Sequence, residues 1–108
     1  MRSNLAFIYV QTRQFAAALE VGRPAYAFFR AARDPLFAAG TGANLAEASY
    51  ELGDLAGATR YAHEVLALGE RFTAPYARYT LGQIALANGE HAEAIAQFAD
   101  RADRRRID

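Results

Sequence analysis

Leu81-Gly82-Gln83-Ile84-Ala85-Leu86-Ala87-Asn88-Gly89-Glu90-His91-Ala92-Glu93-Ala94-Ile95-Ala96-Gln97-Phe98 is the stretch that decides how this chain is read. A leucine and a small residue open it, a polar turn with a glycine interrupts it, and Ala94 follows Leu81 by 13 residues. The same order runs from Leu5-Ala6 through Thr12-Arg13-Gln14 to Ala18, and from Leu45-Ala46 through Leu52-Gly53-Asp54 to Ala58, again 13 residues each time and without a gap. The marker leucines stand 40 and then 36 residues apart. A period of that size marks an array of helical repeats.

Composition points the same way. Alanine fills 26 of the 108 positions, lysine is absent and every base is arginine. Alanine, leucine, arginine and glutamate are strong helix formers, and β-branched residues are few. The spacing predicts helices over 2–12, 14–32, 35–52, 54–71, 73–88 and 90–105. Asp34-Pro35 and Thr73-Ala74-Pro75 are start signals, and Asp54 and Glu90 put carboxylates at helix N-termini. Gly40-Thr41-Gly42 is the weak place, where the third helix either bends or begins late. Ala6, Ala18, Ala46, Ala58, Gly82 and Ala94 are expected where paired helices come closest, since a larger side chain would push them apart. Phe15, Tyr26, Phe28, Phe29, Phe37 and Leu55 are expected to fill the layers between them. Leu66, Leu68, Phe72, Ile84, Ile95 and Phe98 are expected to do the same in the later part of the chain.

The aligned segments resemble the tetratricopeptide repeat (TPR). Leu81-Gly82, Gly89, Ala94 and Phe98 match its pattern best. The second repeat keeps Leu45, Ala46, Gly53 and Ala58 but has Ser49 and Ala62 at the aromatic places. The first keeps Leu5, Ala6, Tyr9 and Ala18, with Arg13 at the turn glycine. Arg2, Gly42 and Arg78 stand at the tryptophan place. The resemblance implies an all-α fold of three stacked antiparallel helix-turn-helix repeats, a right-handed solenoid over residues 1–108 with repeats at 2–33, 35–71 and 73–106. The longer periods are similar to those in bacterial transcription regulators and signalling ATPases, where such arrays form sensor domains.

Chemistry is excluded more firmly than it is suggested. Without cysteine there is no thiolate metal site or disulfide framework. Neither serine sits in a nucleophile elbow, His63-Glu64 lacks the second ligand of a zinc helix, and a phosphate loop cannot form without lysine. Glu47 and Glu51, one helical turn apart, read as a solvated pair. Twelve acids against twelve bases give no global field to attract nucleic acid or an anionic membrane. Arg101, Arg104, Arg105 and Arg106 are interrupted by Asp103 and read as a dipole-compatible helix end. No enzyme and no cofactor are expected, and the location is expected to be cytoplasmic.

The function expected is binding of a protein or peptide, as the sensor or interaction part of a bacterial regulator. The alternative is self-association, either as a homo-oligomer through uncapped terminal repeats or as a segment of a longer superhelix. The first helix of each repeat should line a groove. Its candidate residues are Asn4, Phe7 and Gln11 in the first repeat, and Asn44, Glu47, Tyr50 and Glu51 in the second. The third repeat contributes Tyr76, Tyr79 and Gln83, with Val10, Thr80 and Leu86 as neighbours on the same faces. The basic clamp by which TPR domains hold terminal carboxylates lacks its cations here, so the ligand implied is an arginine- or lysine-bearing segment read by rings and acids.

Overall fold

Each turn in this chain stops a helix in the same way. The computed structural model describes the backbone of residues 2–107 and the side chains of 5–99. It contains six helices: α1 (Arg2–Gln11), α2 (Phe15–Ala31), α3 (Pro35–Glu51), α4 (Leu55–Ala67), α5 (Ala74–Ala87) and α6 (His91–Ile107). Among the described residues there is no strand. Between successive helices one residue takes positive φ: Arg13, Arg33, Gly53, Gly69 and Gly89. At Gly53 and Gly89 the next amide then donates back across the turn, from Asp54 to the Ser49 carbonyl at 2.9 Å and from Glu90 to Ala85 at 2.8 Å. Such a left-handed cap satisfies the carbonyls that a helix end leaves unpaired. Arg13, where the repeat pattern has glycine, adopts the glycine conformation with φ 61° and makes the same bond through Gln14 to Tyr9.

Two of the expected start signals, Asp34 and Asp54, cap their helices through the side chain. Asp34 and Asp54 accept from the amides of Phe37 and Gly57 at 3.2 and 2.9 Å, and Pro35 occupies the first turn of α3. Before α5 the N-cap residue Thr73 makes no side-chain cap bond; instead the two carboxylate oxygens of Glu70 accept from the amides of Phe72 and Thr73 and fix the turn. That turn explains why α4 stops at Ala67 rather than at residue 71: Leu68 caps it and Gly69 reverses the chain.

The six helices form three pairs that stack in chain order. α3 lies at the centre, against α2 and α4 and against α1 and α5. Small residues set the distances. Ala6, Ala18, Ala46, Ala58 and Ala94 are all buried. A methyl group placed on Gly82 would run into the Phe98 ring. Leu45, fully enclosed, fills the hollow left by Gly22, where a Cβ would stand 2.8 Å from Leu45 Cδ2. α3 runs unbroken through Gly40-Thr41-Gly42, without the bend or late start entertained above. Gly42 is there because Val65 Cγ2 and Tyr26 Cε1 would meet its Cβ at 2.7 and 2.9 Å. Against α3 at Gly42, Tyr26 of α2 also packs edge-on against Tyr61 of α4 and donates to Glu64 at 2.8 Å. Burial, then this bond to a carboxylate, pushes the Tyr26 phenol up to about 12. Arg30 joins the same Glu64 at 3.1 Å.

Some expected core residues are not core. Phe28, Phe37, Phe72 and Ile95 are exposed, whereas Tyr26 and Ile84 are buried. Small residues bring the backbones so close that little interior volume is left for rings. The marker Leu5 is also partly exposed, unlike Leu45 and Leu81, because no described element packs against the first pair from its other side.

The two glycines of the third helix give opposite predictions. Nothing lies within 4 Å of a Cβ built on Gly40, so Gly40→Ala should stabilise the fold by about 0.5–1 kcal/mol through helix propensity alone. Gly42→Ala forces Val65 and Tyr26 aside and should destabilise by about 1–3 kcal/mol. Urea denaturation of the two variants checks both signs, and equal effects would contradict the packing described for α3.

Candidate functional site

α1, α3 and α5 share one long face, and it is hollow. Phe7 and Gln11 of α1 border it, α3 forms its floor, and Tyr76, Tyr79 and Gln83 of α5 form the other wall. The groove encloses about 730 Å³. On α3 the lining positions recur at helical spacing, from Phe37 through Gly40 and Asn44 to Glu47 and Glu51, as one face of an α-helix must. Phe7, Glu47 and Gln83 each stand two residues after a marker leucine. The repeat register thus brings three distant parts of the chain into one row across the groove.

The candidate residues separate clearly. Phe7, Gln11, Asn44, Glu47, Glu51, Tyr76, Tyr79 and Gln83 all border the groove. Tyr50 is half-buried and does not border it; it precedes Glu51 by one position, about 100° around the helix. The side chains of Asn4 and of Arg101, Arg104, Arg105 and Arg106 lie outside the described residues. Val10 is buried in the core and Leu86, though exposed, lies off the groove, while Thr80 borders it. Sequence reading missed Leu36, Phe37, Gly40 and Thr73, which extend the groove towards the helix N-termini. Phe37, expected in the core, is 49% exposed and stacks at 5.3 Å on Phe29. The signal available was its place one turn before Gly40 on the floor face.

Tyr76 and Tyr79 are 65% and 44% exposed, so rings are presented to solvent. Tyr79 also rests against Phe98 at 5.6 Å, which steadies that ring from behind. Among the described residues that border the groove, the charged ones are Glu47 and Glu51, both carboxylates. Partial enclosure by the groove wall, then repulsion from Glu51, raises the Glu47 carboxyl above the ordinary carboxylate value, and Arg13 offsets part of this. Arg13 itself reaches Glu51 at 3.4 Å from the first turn and lies over Phe15 at 5.1 Å. It is largely exposed, so this pair is weak and readily exchanged.

His63 and His91 lie in a separate hollow that Glu90 and Glu93 also border. Among the described residues no group of histidine, aspartate and glutamate is placed to hold a metal ion. No described helix is long and apolar enough to cross a membrane.

Residues 39–71, the second helical pair, match the tetratricopeptide repeat model. Over that pair the chain is similar to the tetratricopeptide-repeat family. The match covers most of α3 and α4, the pair that carries the groove floor. No curated protein and no solved structure matches the chain. In general terms a TPR is a protein–protein interaction module.

The charge of Glu47 has a measurable consequence. Its folded-state pKa lies above the unfolded one, so the ionised form costs stability at pH values above both. That cost disappears as pH falls through the raised pKa. Glu47→Gln should therefore raise the melting temperature at neutral pH, and the gain should shrink as the acid range is entered. A gain that grows with acidification would contradict the sign.

Proposed function

We propose that this chain is a non-catalytic binding module whose groove across α1, α3 and α5 takes an arginine- or lysine-bearing segment of another protein. The observation that carries the reading is the conjunction of the exposed rings Phe7, Tyr76 and Tyr79 with the carboxylate pair Glu47 and Glu51 along one groove. Like charges one helical turn apart on a helix are unfavourable, and here one of them is also partly desolvated. Exposed aromatic faces add cation–π contacts, worth about 0.5–2 kcal/mol each according to desolvation.

A second reading is self-association through the end helices. Ile8 on α1 and Ile95 on α6 are 52% and 67% exposed, and apolar residues at the ends of an array suit contact with further repeats. Light scattering across a concentration series, on the native chain and on Ile95→Asp, separates this from a monomeric binder. A mass that rises with concentration in the native chain alone favours self-association.

Gly40 offers a direct test of the groove. A side chain built there enters open space, so Gly40→Trp should obstruct the groove while circular dichroism and melting stay native. Peptides selected from a displayed random library on the native protein should be rich in arginine or lysine and should lose at least tenfold in affinity for Gly40→Trp. Selected peptides that bind the two proteins equally would remove the groove from the function. Arg13→Ala, which frees Glu51, should tighten the same peptides, and the effect should fade with added salt.

A further inference from the structure

Of the eight glycines, seven have a reason within the fold. Gly53, Gly69 and Gly89 have positive φ; Gly22, Gly42, Gly57 and Gly82 face atoms that a methyl group would strike. Gly40 has neither. It sits in the middle of α3 at a cost in helix propensity, with nothing near its missing side chain, and it borders the groove. A glycine of this kind leaves room for a close approach from outside the chain.

The groove also differs from one end to the other. Around Gly40 and towards the helix N-termini it is bordered by Leu36, Phe37 and Tyr76, 53%, 49% and 65% exposed. Towards the C-termini it carries Glu47 and Glu51, with the exposed Phe7 and the polar Gln83 beside them. The C-terminal ends of the helices add partial negative charge on the acidic side. Phe37 and Glu47 are ten positions apart on α3, and Phe37 and Glu51 fourteen, which makes about 15 and 21 Å at 1.5 Å per residue.

We propose that the groove reads two features of its ligand at a fixed separation, an apolar or aromatic side chain seated beside Phe37 and Tyr76 and a basic side chain at Glu47 and Glu51, with the ligand running along α3 over Gly40. This rests on the groove reading given under the proposed function and adds to it a register. An extended segment advances about 3.3 Å per residue, so the two features stand about four to six residues apart. Charge complementarity selects the basic end, and the bare helix surface at Gly40 sets where the ligand lies deepest.

The test uses the whole chain and labelled synthetic peptides carrying one phenylalanine and one arginine pair in a glycine–serine background. Fluorescence anisotropy is read as their separation is varied. Binding should peak at about four to six intervening steps and fall at least tenfold when the two features are adjacent. Glu47→Gln should weaken the arginine-bearing peptides several-fold and leave unchanged those with glutamine in place of arginine. Phe37→Ala should weaken only peptides that contain the phenylalanine. Flat dependence on separation, with binding still lost in Gly40→Trp, would overturn the register and leave the groove reading standing. Binding that survives in Gly40→Trp would overturn both, and so would the absence of binding by every peptide in the series.

Discussion

Close approach of backbones is the constraint on which this molecule depends. Leu45 has no exposed surface because Gly22 has no side chain, and α3 can lie against both Tyr26 and Val65 because Gly42 has none. Those two glycines, with the buried alanines at the other crossings, draw six helices into a stack with little interior volume. Tyr26 and Tyr61 are enclosed, while Phe7, Phe28, Phe37, Phe72, Tyr76 and Tyr79 are left outside. Their exposure is the direct result of tight packing beneath them, and it supplies the groove with its apolar surface.

The turns hold the stack in register. A left-handed residue ends each of the first five helices, and at glycine this conformation is free of the Cβ clash that penalises other residues. Arg13 and Arg33 adopt it without that relief. At Arg13 the strain accompanies two contacts that a glycine could not make, the reach to Glu51 and the placement over Phe15. A departure from the repeat pattern thus brings the first turn to the rim of the site.

Much of this was legible in the sequence, for definable reasons. Helix number, the turns and the close crossings all follow from a spacing that recurs three times, and residues such as Ala58 and Ala94 fall where it places them. The groove stripe follows from the same register, which is why Phe7, Glu47 and Gln83 come together. What periodicity could not give was the width of the apolar face. Phe37 and Phe72 are as hydrophobic as any core residue, and only the volume left between close backbones determines that they remain outside. Gly40 and Gly42 likewise look alike in sequence. One is required by Val65 and Tyr26 and the other by none of the described residues, a difference that exists only in three dimensions.

The order of contacts along the stack has a mechanical consequence. Among the described residues the first helical pair touches the second and the second touches the third, but the first does not reach the third. Such a chain of neighbours has no closed ring of contacts, so the end pairs can open independently while the middle holds. The groove, however, is bordered from α1 across α3 to α5. Anything seated along its width would bridge the two ends, and its binding free energy would add to the cooperativity of the whole stack.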